Sequence, residues 1–129
     1  MPMDDRNLIA VAEQAAATSM VKRGTLEGAT ILFEDGRVFL GSRMEYDNAD
    51  LDQDAVSNAM TAGRVEGAYR PFRVGVYSPV SEGLPEIAPI ALRRLKEIGV
   101  PNLAVIKSSG SGERVVFSLD DLLATAGIA

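Results

Sequence analysis

The chain has 129 residues, 47% of them hydrophobic, which suffices for one domain with a real core and is too short for two ordinary ones. Eighteen acidic against thirteen basic residues give a net charge of -5, and no Lys/Arg run exceeds two residues. The positive stripe that a phosphate backbone requires is therefore missing, and nucleic acid is not an expected partner. Cysteine and histidine are both absent, which removes disulfides, thiolate nucleophiles, imidazole bases and the two best zinc ligands together.

The N-terminus, MPMDDRN, has no basic region leading into an apolar run. No apolar stretch approaches the roughly 18 residues of a membrane span. The expectation is a soluble cytoplasmic protein with no membrane partner, a single domain over residues 1–129.

In chain order, Met3 to Ser19 reads as a helix. Leu8, Ile9, Val11, Ala12 and Ala16 recur at helical spacing, and Asp4 or Asp5 sits where a cap belongs. Lys22 to Thr25, with Gly24, turns the chain into a first strand, Ala29 to Phe33. Neither side of that strand is strongly polar, which suits a strand covered by helices on both faces. Asp35-Gly36 is a tight-turn signal, and the second strand runs from Arg37 to about Met44. Its end places Arg43 and Glu45 two apart, on one face if the extended conformation continues, either as a solvated charged pair or as a ligand contact.

A helix is predicted to start near Asp50 to Asp54, since Asp50 and Asp52 are both plausible caps, with Ala55, Val56, Ala59 and Met60 as its apolar face and Gly63 near its end. Pro71 to Tyr77 forms a third strand, and Ser78 to Pro85 a polar loop. Pro89 suits the first position of the next helix, whose apolar positions are Ile90, Leu92, Leu95 and Ile98 and whose stop is Gly99. Asn102 to Ile106 and Arg114 to Phe117 are two more strands. The linker Ser108 to Glu113 is too short for a crossover helix, so the two should pair antiparallel. Leu119 to Ala126 is a last short helix capped by Ser118. The sum is an α/β chain with a five-stranded mixed sheet and helices on both faces, a three-layer sandwich.

Five local patterns in this order carry a family resemblance. Gly28-Ala29 through Asp35-Gly36 is similar to a VGAAL…DG hairpin, and Gly41-Ser42-Arg43-Met44-Glu45 to a G-x-N-V-E segment. Nine residues after Glu45, Asp54-Ala55-Val56 stands in place of C-A-E or H-A-E, and Pro89-Ile90-Ala91-Leu92-Arg93-Arg94 in place of P-C-x-x-C-R. Phe117 to Leu123 is similar to a closing T-L-x-x-L-L-P. Together they resemble the free-nucleoside cytidine deaminases, from about Leu8 to Leu123. The resemblance implies the cytidine-deaminase-like sandwich, a homo-oligomer (tetramer or dimer), and Arg43 and Glu45 as ligand-binding positions for a nucleoside-like molecule.

The departures fall on the chemistry. A zinc deaminase needs three metal ligands and a carboxylate that moves protons between the metal-bound water and the base. The ligand positions here read Asp54, Ile90 and Arg93, and the proton-shuttle position reads Val56. No metal and no cofactor is expected. An ion pair from Asp54 to Arg93 or Arg94 is predicted where the metal would join two helix starts, with Ile90 and Val56 packing beside it; the alternative is that Asp54 only caps its helix. The acidic stretch Glu45, Asp47, Asp50, Asp52 and Asp54 reads as capping and solvated charge or as oxygen ligands for a hard cation. Gly110-Ser111-Gly112 reads as a hairpin turn or a weak phosphate cradle. Two functions stay open: a non-catalytic binding or assembly module, and a divergent metal-independent enzyme using Glu45, Asp54 and an arginine on a nucleoside-like substrate.

Overall fold

In the computed structural model, which describes residues 4–80 and 83–128, the elements are α1 (Asp5–Ala17), β1 (Gly28–Phe33), β2 (Val38–Ser42), α2 (Ala55–Val65), β3 (Pro71–Ser78), α3 (Pro89–Ile98), β4 (Ala104–Ser109), β5 (Arg114–Ser118) and α4 (Leu119–Thr125). Local chemistry sets their starts. The Asp4 carboxylate accepts the Asn7 N–H at 2.8 Å ahead of α1, Asp54 accepts the Ser57 N–H at 2.8 Å ahead of α2, and Ser118 accepts the Asp121 N–H at 3.1 Å ahead of α4. Each is a side-chain oxygen satisfying a helix N–H that has no partner within the helix. Pro89 opens α3, where its missing N–H costs nothing.

The strands form one sheet in the order β2-β1-β3-β4-β5. β1 is antiparallel to β2 (Ile31 opposite Phe39) and to β3 (Ala29 opposite Val76). β3 and β4 are parallel, and β4 and β5 antiparallel as the short linker requires. The turn between β1 and β2 uses Gly36 at φ 92°, a conformation that favours glycine. Ala29, Thr30 and Ile31 are wholly buried, because β1 lies mid-sheet with a helix layer on each side. On one face Leu8 and Ile9 of α1 pack with Ile106. On the other, Val56, Ala59 and Met60 of α2, Leu92 and Leu95 of α3, and Leu119 and Leu123 of α4 pack over Ile31, Val74, Val76 and Val105.

Several predicted boundaries shift. α1 stops at Ala17, where the Thr18 hydroxyl donates to the Ala15 carbonyl at 2.8 Å, and Met3 lies outside the described residues. β2 is shorter than Arg37 to Met44; beyond Ser42 the Arg43 N–H still donates to the Glu27 carbonyl, and Met44 makes isolated bridges with Met20 on one side and Gln53 on the other. A 3₁₀ turn, Ala49–Leu51, capped by Asn48, takes the place of a helix start at Asp50. β4 begins at Ala104 and runs on to Ser109, drawn out by its parallel register with β3 up to Ser78 opposite Ser109. The loop placed at Ser78 to Pro85 includes residues 81 and 82, outside the described residues. Ile90, given a core position by its spacing, is 49% exposed, since Ala91, Leu92 and Leu95 make the inward face of α3.

The topology brings several chain ends to one place. β1 runs antiparallel to β3, so the start of β1 lies beside the end of β3, with Gly28 opposite Tyr77. The start of α2 meets this edge, where the Ala55 N–H donates to Glu27 at 3.2 Å.

Candidate functional site

Glu27 immediately precedes β1 and falls in phase with Ala29, Ile31 and Phe33, the side chains turned toward α2. Its Oε1 accepts the Ala55 N–H, the first of α2. Burial pushes the carboxyl pKa up; the Ala55 N–H opposes this, the neighbouring Asp54 adds to it, and Arg43 and Lys107 oppose it again. Glu27 borders a cavity of about 430 Å³ whose wall also includes Arg43, Ser78, Val80, Leu84 and Glu86. Buried Ser78 donates its hydroxyl to the Leu26 carbonyl at 2.9 Å, which fixes the chain as it enters Glu27.

Arg43 and Glu45 do meet, at 2.8 Å from Nε to Oε2. Glu45 is neither a solvated partner nor part of this cavity's lining, however. Its side chain is 1% exposed, and its Oε1 accepts the N–H groups of Lys22 at 2.6 Å and Arg23 at 2.7 Å, while Gly24 donates to Oε2 at 3.2 Å. The Arg23 N–H first, then the Arg43 guanidinium and the N–H groups of Lys22 and Gly24, hold the carboxyl far below its usual range. Glu45 therefore clasps the loop before β1 to the chain leaving β2. Its lone pairs are spent inside the protein, which removes it as a free ligand contact. Arg43 keeps a place on the cavity wall, with Asp52 3.7 Å from its Nη2.

Of the four positions that the resemblance assigns to zinc chemistry, Asp54 and Ile90 border one groove, and Val56 and Arg93 do not line it. Asp54 caps α2, Val56 is wholly packed in the core, Ile90 points outward, and Arg93 is exposed. Among the described residues Asp54 forms no ion pair with Arg93 or Arg94. The Arg94 Nη1 donates to the Ser57 hydroxyl at 2.7 Å, and the Ser57 N–H is the one that Asp54 holds. Ser57 thus links the two helix starts in place of the predicted pair. Asp54 needs no arginine because the helix N–H already supplies its donor. Asp54, Ser57, Ile90 and Arg94 line a second groove, of about 480 Å³, between α2 and α3.

A zinc ion does not fit this donor set. One position offers no donor atom, another a permanent cation, and the carboxylate is engaged by its own helix. Among the described residues no group of three His, Cys, Asp or Glu side chains could hold a metal ion. The acidic stretch is likewise taken up locally. Asp52 accepts the Tyr46 N–H at 2.8 Å and Arg23 at 2.6 Å, and Asp47 pairs with Lys22 at 3.0 Å. In the Gly110-Ser111-Gly112 segment the Gly112 N–H donates to the Ser109 carbonyl at 3.0 Å, a turn closing the β4-β5 hairpin.

Glu27 was the residue that motif spacing did not single out. Its signal is an acid in register with the buried side of an apolar strand, a position where solvation alone would not place a charge.

No protein-family model matches the chain, and no curated protein sequence matches it. Solved structures do. The cytidine deaminase of Burkholderia pseudomallei superposes with a TM-score of 0.86 at 24% identity, over 93% of this chain and 96% of that one. That of Mycobacterium leprae gives 0.76 at 23% identity over 92% and 95%, and that of Bacillus anthracis 0.70 at 14% identity over 93% and 86%. At such identities the likeness establishes architecture, and the chain has the fold of the cytidine deaminases.

Proposed function

We propose that this chain is a small-molecule-binding or assembly module built on the cytidine deaminase fold, with a nucleoside-like ligand and without zinc-dependent deamination. The observation that carries this reading is the pairing of an unsuitable donor set at Asp54, Ile90 and Arg93 with a cavity that has Glu27, Arg43, Ser78 and Glu86 in its wall and reaches the start of α2 through Glu27. A buried valine in the proton-shuttle position has no proton to move. The purified protein is expected to hold no stoichiometric zinc and to leave cytidine unconverted while nucleosides raise its melting temperature, since a ligand of the folded state alone stabilises it by mass action. Metal analysis giving about one zinc per chain, or uridine formation, would overturn it.

The assembly is proposed to be a homo-oligomer, a tetramer or otherwise a dimer. The fold relationship motivates it, and exposed Leu51, Val65 and Ile90 give apolar surface for it to cover. Light scattering at tens of micromolar should report a multiple of the chain mass; a monomer removes the proposal.

One observation favours a second reading, a metal-independent enzyme. Glu27 is a carboxyl whose pKa is pushed up by burial at a cavity wall, the setting in which acid and base groups are found. Incubation with nucleosides that yields a new product, lost in Glu27→Gln, would select this reading over the first.

A further inference from the structure

The charge around the cavity beside Glu27 is one-sided. Among the described residues that line it the one arginine is Arg43, which is committed to Glu45 at 2.8 Å and lies 3.7 Å from Asp52. Glu27 and Glu86 both line the cavity, and neither forms an ion pair among the described residues. Three further charges face Glu27: Asp54 at the start of α2, Arg43, and Lys107 of β4. Lys107 is half-buried with its Nζ 5.2 Å from the Phe117 ring centroid, and its charge acts on both Glu27 and Glu86. Arg43 and Glu45 cancel, so among the described residues Glu27, Glu86 and Asp54 face one lysine, and the balance is negative. The remaining wall includes Val80, Leu84 and Pro85, which suits an apolar body rather than a second charge.

We propose that this cavity binds a small organic cation, an amidinium or protonated amine on a compact apolar or aromatic body, with Glu27 as the anchor of the charged head and Glu86 as its second acceptor. The inference rests on the reading of the chain as a small-molecule-binding module and adds the sign of the ligand's charge. A fork of two N–H donors matches a carboxylate bidentately, as a guanidinium does. About 430 Å³ falls within the usual range of ligand sites and holds a six-membered ring with such a head. An anionic ligand would face these carboxylates instead, with no free arginine among the described lining residues to meet it.

The test uses three ligands of one shape and different charge, benzamidine, benzamide and benzoate, titrated into the whole protein by calorimetry and thermal shift. Benzamidine is expected to bind and raise the melting temperature. Its affinity should fall about tenfold or more in Glu27→Gln and a few-fold in Glu86→Gln, as expected when an acceptor of a charged hydrogen bond is neutralised. Benzoate should not bind. Glu27→Gln still offers an oxygen to the Ala55 N–H. Because burial raises the Glu27 pKa on folding, stability is lost as pH rises through the folded value; the variant should therefore be at least as stable as the parent at neutral pH. Benzamidine affinity in the parent should rise over that same interval as the carboxyl ionises.

Benzoate binding as well as benzamidine, an unchanged benzamidine affinity in Glu27→Gln, or no benzamidine binding would each overturn the proposal. Nucleosides that bind where benzamidine does not would leave the binding-module reading standing and remove only the cation. Failure of both would remove both.

Discussion

Alanine at Gly28 or Gly41 is expected to destabilise the protein by about 3 kcal/mol, at the upper end of the usual cost of overpacking a core. A Cβ on Gly28 would run into the Ala12 carbonyl oxygen and the Ala16 nitrogen, and would lie 2.9 Å from the Ala15 carbonyl carbon, all backbone of α1. A Cβ on Gly41 would meet the Ala59 nitrogen, and the Ala55 carbonyl oxygen at 2.5 Å, in α2. Backbone atoms in a helix cannot rotate away, so the helix itself has to lift from the sheet. Neither glycine needs a positive φ, and the effect is purely steric. Gly36 supplies the contrast: nothing stands near its missing Cβ, but its φ of 92° should make alanine cost about 1 kcal/mol there through strain. Chemical denaturation of the three variants tests the order; Gly28→Ala within about 0.5 kcal/mol of the parent would mean that the helix is not seated on the strand as described.

Glu45→Gln is the second large effect, a fall in melting temperature of roughly 10 °C. The change keeps the shape and removes the charge. Three backbone N–H groups, of Lys22, Arg23 and Gly24, and the Arg43 guanidinium all donate to this carboxylate. An amide would turn one of its own donors against them. Folding depresses the carboxyl's pKa. Its contribution is therefore present above the ordinary glutamate value of about 4.3 and lost as pH falls through the folded value. The gap between parent and variant should accordingly narrow in acid, as thermal melts across that range would read. A variant that melts with the parent at neutral pH would show that the clasp adds nothing.

The order of elements was legible in the sequence because each rests on local chemistry: alternating apolar residues in the strands, Asp-Gly at the hairpin, Pro89 and Ser118 at helix starts, a linker too short to cross over. The two-sided burial of β1 was readable for the same reason, since neither of its faces carries a strongly polar side chain. What the sequence could not decide was where long polar side chains end. Arg43 and Glu45 could be placed on one strand face, but that three N–H groups of a loop 21 to 23 residues earlier close over Glu45 depends on how α1 and β1 are joined in space. Asp54 and Arg94 could be brought to neighbouring helix starts, but Ser57 stands between them and satisfies both. Ile90 matched an apolar spacing, yet the rotation of α3 that buries Ala91, Leu92 and Leu95 leaves it outside. Glu27 acquires its character only when β1, β3 and the start of α2 meet, because a carboxyl's pKa and partners are set by what the fold withdraws from water around it.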